Sequence, residues 1–182
     1  MRIVKHDIEG LLMIEPQVFG DARGYFFESF NAERFLAETS IEITFVQDNE
    51  SRSKRGVLRG LHFQREPYAQ AKLVRVVSGR VLDVAVDIRP ESPTFGRYVV
   101  TELSGENHRQ MFIPKGFAHG YVVLEDDTVF QYKCDEFYHP EAEGGIAWND
   151  PQIGIEWGIP ESEIILSEKD RNRPTLKELC EY

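Results

Sequence analysis

The stretch Lys72-Leu73-Val74-Arg75-Val76-Val77-Ser78-Gly79-Arg80-Val81-Leu82-Asp83-Val84-Ala85-Val86-Asp87-Ile88-Arg89 decides the fold class. Its β-branched residues predict two strands, Lys72 to Val77 and Arg80 to Arg89, and Ser78-Gly79 between them predicts a hairpin with a two-residue loop. In the second strand Leu82, Val84, Val86 and Ile88 share one face, and Asp83, Ala85 and Asp87 share the other. Two carboxylates on one side of a sheet lie either in solvent or along a polar cavity.

Working outward, similar short stretches rich in Val, Ile, Phe and Tyr alternate with turn signals, the texture of an antiparallel sandwich or barrel. Further strands are expected over Phe45 to Asn49, Val57 to Gln64, Arg97 to Glu102, Gln110 to Ile113, Gly120 to Leu124 and Val129 to Cys134. This pattern predicts an all-β chain folded as a two-sheet jelly roll. Helical signals are confined to Asn31 to Glu38, opened by an N-cap asparagine, and to the tail Thr175 to Tyr182, where Leu176, Leu179 and Cys180 form an apolar stripe. Both are expected to pad the outside of the barrel. No repeat, low-complexity tract or linker divides the sequence, so residues 1–182 are expected to form one domain.

The chain has 182 residues, of which 41% are hydrophobic and 29% charged, and this composition argues against disorder and membrane integration. A net charge of −10 makes nucleic acid or an anionic membrane surface an unfavourable partner, so an anionic ligand requires a local basic pocket. No apolar run is long enough to span a bilayer, and Met1 to Asp7 lacks the apolar core of a secretory signal; a cytoplasmic location is expected. Cys134 and Cys180 are too few for a disulfide framework or a cysteine-built zinc site, and both are expected to be reduced.

Chemistry is concentrated in Gly56-Val57-Leu58-Arg59-Gly60-Leu61-His62-Phe63-Gln64, an apolar, glycine-punctuated strand that carries one arginine and one histidine. Taken alone, the segment fits a hydrogen-bonded core histidine and a solvated arginine. Strict alternation sends His62 and Arg59 to opposite faces, and Gly60 between them is the place where a bulge could re-aim one of them. A metal-binding cupin would need an H-x-H pair, but Phe63 and Gln64 follow His62. His119, closing Pro114-Lys115-Gly116-Phe117-Ala118-His119, matches half of the second cupin motif, yet without partners no metal is expected. His6, His108 and His139 have no ligand-like spacing and are expected at the surface.

Arg23, Arg59 and Lys72 are candidate anion contacts only if they converge on one cavity. No P-loop and no G-x-G-x-x-G is present. By spacing alone Tyr132 pairs with Phe130 as a core aromatic, Tyr138 is either a loop aromatic for stacking or a turn anchor, and Gln47 and Asn49 project from one side of a strand.

Taken together, the sequence resembles the dTDP-4-dehydrorhamnose 3,5-epimerase family over nearly its whole length. The resemblance is carried by Phe19 to Gly24 with Glu28, Gln47-Asp48-Asn49, Gly56 to Gln64, Lys72-Leu73-Val74, Asp83 to Arg89 and Ser92-Pro93-Thr94-Phe95-Gly96. Further blocks are Ile113 to Gly120, Tyr132-Lys133, Trp148-Asn149-Asp150-Pro151 and Leu166 to Asp170. It implies a cupin-like, homodimeric jelly roll that binds a dTDP-4-keto-6-deoxyhexose and, with no cofactor, inverts the carbons on both sides of the ketone. By the same resemblance His62 is the base, Asp170 its hydrogen-bonding partner, Lys72 the stabiliser of the enolate oxygen and Tyr132 the acid that returns the proton. Arg23, Glu28, Gln47, Asn49, Arg59, His119, Glu143 and Lys169 would contact the nucleotide sugar, and Tyr138 would stack on thymine. Epimerisation at only carbon 3 or carbon 5, a non-catalytic sugar-nucleotide-binding jelly roll and a metal-dependent cupin are the alternatives.

Overall fold

In the computed structural model, which describes residues 1–180, strands dominate the chain. They are β1 (Arg2–Lys5), β2 (Leu12–Glu15), β3 (Val18–Asp21), β4 (Gly24–Phe27), β5 (Gln47–Ser53), β6 (Leu58–Gln64), β7 (Lys72–Ser78), β8 (Arg80–Asp87), β9 (Tyr98–Ser104), β10 (Gln110–Ile113), β11 (Phe117–Val123), β12 (Thr128–Cys134) and β13 (Glu143–Gly145). One antiparallel sheet runs β1-β2-β10-β7-β12-β5, a second runs β13-β6-β11-β8-β9, and β3-β4 stands apart as a two-stranded ribbon. The two large sheets pack face to face as a jelly roll. β11 begins at Phe117 rather than at Gly120, which brings His119 inside the strand and into register with Ala85 of β8.

The expected hairpin at Ser78-Gly79 is not one. β7 pairs with β10 and β12 in the first sheet, whereas β8 pairs with β11 and β9 in the second. Gly79, at φ 81°, is therefore a corner between sheets, and it passes so close to Thr128 that an added Cβ would fall 2.2 Å from Oγ1. The physical reason lies in burial: β7 buries residues of both faces, among them Leu73, Val74 and Val76, and β8 buries Val81, Val84, Ala85 and Val86. Each strand takes a central place in its own sheet, and a short glycine loop serves a corner as well as a hairpin.

The two faces of β8 explain where the site can form. Val81 and Ala85 pack between the sheets with Val74, Val76, Met111 and Phe130. Leu82, Val84, Val86 and Ile88 face outward and are covered by Trp157, Leu176 and the segments around them. The face that carries Asp83 and Asp87 is thus the interior one, and both residues are fully buried. Asp87 is held by Arg89, Ser92 and Thr94 at the end of the strand.

Helix α1 (Ala32–Thr39) begins where Asn31 Oδ1 accepts the Arg34 N–H at 3.0 Å, and it ends at Ser40 in a left-handed conformation. It lays Phe35 on the outside of the six-stranded sheet against Leu12, Ile14, Leu73 and Phe112. Helix α2 (Glu168–Arg171) and helix α3 (Leu176–Cys180) follow on the other side, where Leu176 and Leu179 pack over the five-stranded sheet. Cys180, expected on that apolar stripe, is exposed because the helix presents only its leucines to the sheet. Residues 181 and 182 of the expected tail helix lie outside the described residues.

Candidate active site

Between the sheets, where the dry packing stops, opens a cavity of about 740 Å³. The six-stranded sheet contributes Gln47, Asn49 and Ser51 from β5, Lys72 from β7 and Tyr132 and Cys134 from β12. The five-stranded sheet contributes Arg59, His62 and Gln64 from β6, His119 and Tyr121 from β11 and Glu143 from β13. Lys169 and Asp170 come from α2, and Tyr138 from the loop after β12. His62 and Tyr132 therefore belong to opposing walls of one chamber. Tyr121 stacks on Phe130 with ring centroids 3.9 Å apart and planes 15° from parallel, forming the floor where the cavity meets the core.

A bulge in β6 explains why Arg59 and His62, three residues apart, share a wall. Opposite them on β11 His119 pairs with His62 and Tyr121 with Arg59, so two residues of β6, Gly60 and Leu61, oppose the single Gly120. Gly60 sits at φ 136°, and a Cβ built on it would lie 2.5 Å from the Gly120 Cα. A side chain there would both strain the backbone and collide with the neighbouring strand. Beyond the bulge, ordinary alternation places His62 and Gln64 on one face.

His62 Nε2 lies 2.5 Å from Asp170 Oδ1, and Asp170 is buried in the first turn of α2, its N–H donating to Ser167 Oγ at 3.1 Å. Burial pushes the Asp170 carboxyl up, but the hydrogen bond and charge of His62, the Ser167 hydrogen bond and the nearby Arg173 together outweigh it, and the pKa falls below the ordinary value. A second pair, His119 Nε2 and Asp83 Oδ2 at 2.8 Å, is more deeply buried. On the facing wall, burial pushes the Tyr132 phenol up to about 12, reinforced by Cys134 and Tyr121 nearby. Burial likewise pushes the Lys72 ammonium down, with Cys134, Asp83 and Glu143 pulling the other way. The Lys72 Nζ stands 5.9 Å from the centre of the Tyr132 ring. Arg59 donates to the neutral Ser53 Oγ at 3.1 Å and, among the described residues, forms no ion pair with a carboxylate, so its charge is available to a ligand.

At the rim, Glu143 gathers the Tyr138 hydroxyl and the Lys169 ammonium, both at 2.5 Å, and the Arg173 guanidinium. Burial raises its carboxyl, but these three donors outweigh that effect and hold it at about 2. Gln47 donates to Asn49 Oδ1 and accepts the Tyr138 N–H, each at 3.0 Å, and Asn49 reaches Cys134 Sγ at 3.8 Å. Among the described residues no three His, Cys, Asp or Glu side chains converge as a metal site. Nor is any described helix long and apolar enough to cross a membrane.

Two expected contacts lie elsewhere. Arg23 sits at the tip of the β3-β4 ribbon, paired with Asp21 at 2.5 Å, and Glu28 is bonded to Asn31 and Arg34 beside α1. Of the histidines expected at the surface, all three are partly buried: His108 against Tyr25 and Phe27, His139 stacked on Tyr68. Tyr121, Gln64 and Arg173 are not singled out by the sequence as site residues, and Cys134 is read there only as a reduced cysteine. Gln64 was within reach, because it shares the period-two face of His62, and the Ser167-Glu168-Lys169-Asp170 capping pattern announces α2.

The family model described as dTDP-4-dehydrorhamnose 3,5-epimerase matches residues 5–178. The chain is 54% identical over 179 residues to the dTDP-4-dehydrorhamnose 3,5-epimerase of Escherichia coli strain K12, covering 98% of this chain and 96% of that protein. It is similar to the crystal structure of a dTDP-6-deoxy-D-glucose-3,5-epimerase from Legionella pneumophila in complex with dTDP-4-keto-L-rhamnose, with a TM-score of 0.93 and 52% identity over 97% of this chain and 93% of the other. Similarity extends to a 3'-monoepimerase from Streptomyces bikiniensis in complex with dTDP-quinovose, with a TM-score of 0.88 and 36% identity over 94% and 86% of the two chains.

Proposed function

The chain belongs to the dTDP-4-dehydrorhamnose 3,5-epimerase family of isomerases, and from that membership we propose that it converts dTDP-4-dehydro-6-deoxy-D-glucose to dTDP-4-dehydro-L-rhamnose by proton transfer at carbons 3 and 5. What supports this most directly is the pairing of opposite walls: the His62–Asp170 couple on one and Tyr132 with Lys72 on the other.

The chemistry follows from those side chains. A C–H next to a ketone is acidified by the carbonyl, and an imidazole can take its proton while the electron pair moves into the enolate oxygen. Asp170 fixes the tautomer of His62 and stabilises the imidazolium as it forms. Lys72, its ammonium disfavoured by burial, gains most when an oxyanion develops beside it, so its stabilisation is greater in the transition state than with bound ketone. Tyr132, with its phenol pushed up to about 12, is protonated at neutral pH and donates to the face opposite His62. Solvent then reprotonates the phenolate and accepts the proton from His62, so no redox partner is consumed.

Arg59, His119 and Lys169 add positive or hydrogen-bonding groups for the diphosphate and sugar, and Tyr138 offers an exposed ring to the thymine. Arg23 and Glu28 fit the same role through a homodimer. The ribbon that carries Arg23 exposes Phe19, Tyr25 and Phe26, and a second copy would both cover those rings and receive the two polar residues. A cytoplasmic setting suits two unpaired cysteines.

Incubation of the metal-stripped protein with dTDP-4-keto-6-deoxyglucose in heavy water tests the assignment. Deuterium is expected at both carbons by NMR. Incorporation at one carbon only would favour the second reading, a monoepimerase, which the likeness to the Streptomyces bikiniensis protein keeps in view. Binding without incorporation would reduce the chain to a sugar-nucleotide-binding module.

A further inference from the structure

We propose that Gln64 is a positioning residue that holds Tyr138 ready as a stacking platform, a role that rests on the reading of Tyr138 as the seat for the thymine ring. The Tyr138 ring is about half exposed, as is that of Phe137, so packing does not fix the loop. Its backbone is fixed instead. Gln64 is buried on β6, two residues beyond His62, and its amide makes three bonds. Nε2 donates to Phe137 O at 3.0 Å and to Tyr68 O at 2.7 Å, and Oε1 accepts the His139 N–H at 2.6 Å. The carbonyl before Tyr138 and the N–H after it are thus tied to one side chain. Reversing the amide would set its NH2 against the His139 N–H, so the network admits a single orientation.

The Tyr138 ring itself is held at its hydroxyl, which donates to Glu143 Oε2 at 2.5 Å, and further restraints act on the backbone around it. Gln47 Oε1 accepts the Tyr138 N–H at 3.0 Å, and His139 stacks on Tyr68 with centroids 3.8 Å apart, which ties Tyr68, itself bonded to Gln64, to the far side of the loop. A flat base that stacks on a fixed ring escapes the cost of ordering the loop, and binding weakens in proportion to the fraction of time the ring is misplaced. One strand would therefore carry both the base that removes the proton and the clamp that seats the nucleotide, Gln64 acting only through Tyr138.

Calorimetric titration of Gln64→Met, Tyr138→Ala and the double variant with dTDP and with inorganic pyrophosphate separates the possibilities. Gln64→Met is expected to weaken dTDP about tenfold, the scale of one lost base–aromatic stack, and to change pyrophosphate less than about twofold. The double variant should bind dTDP no worse than Tyr138→Ala alone. Unchanged dTDP binding by Gln64→Met, with Tyr138→Ala weakened, would overturn the role of Gln64 and leave the platform standing. Equal weakening of both ligands would also overturn it, since a merely structural glutamine would loosen the whole cavity. Unchanged binding by Tyr138→Ala would overturn platform and clamp together. Should Gln64→Met not fold, Gln64→Asn, which withdraws the same amide by one methylene, is held to the same outcomes.

Discussion

At the scale of single residues, the opposed walls separate removal of the proton from its return. His62→Ala should lower deuterium incorporation at both carbons by at least about a hundredfold while dTDP still binds. Tyr132→Phe should behave differently: exchange continues because His62 still forms the enolate, but the inverted product falls by about a hundredfold, as NMR of the sugar will show. Glu143 yields a prediction in pH. Its carboxyl is held at about 2 against an ordinary 4.5, so it contributes stability that is fully present above 4.5 and lost as pH falls toward 2. Chemical denaturation of wild type and Glu143→Gln should therefore differ by a constant amount above pH 4.5 and converge near pH 2. Residue types alone read His62 as a core histidine, Tyr132 as a core aromatic and Lys72 as an anion contact, and proton transfer enters only through the family resemblance. What no pattern stated was direction. Asp83 and Asp87 fit solvent and cavity equally, and only the cover over Leu82, Val84 and Val86 decides for the interior.

At the scale of elements, β6 carries the largest consequence. Gly60→Ala should cost about 2 kcal/mol or more in thermal unfolding, because it combines a positive φ with a backbone collision. It should also lower activity in the molecules that remain folded, since the bulge is what aligns Arg59 with His62. The sequence announced the possibility through a glycine between two polar residues of an apolar strand, but a bulge depends on Gly120 across the ladder, which local spacing does not report. The same limit explains the corner at Gly79. Two strands and a short loop were legible, while the choice between pairing with each other and joining separate sheets was made by β9, β10, β11 and β12. Helix α1, governed by a local cap, appeared where Asn31 placed it.

At the scale of the whole molecule, the β3-β4 ribbon belongs to neither sheet and carries Arg23 away from this chain's own cavity. A homodimer is the proposed remedy, and Phe19→Asp combined with Phe26→Asp should convert it to a monomer by light scattering and weaken substrate binding together. A dimer that survives both charges would place the contact elsewhere. Such a relation between copies leaves no trace in the hydrophobic pattern, which registers burial within one chain only. Inside the chain, β7 and β12 descend in register from Lys72 and Cys134 to Val76 and Phe130, so a reactive storey rests on an inert one. The Tyr121–Phe130 stack is the ceiling of the lower storey. Exchanging Phe130 for leucine should lower that partition and make room for a bulkier hexose, whereas trimming Val76, its neighbour across the ladder between β7 and β12, would merely hollow the foundation.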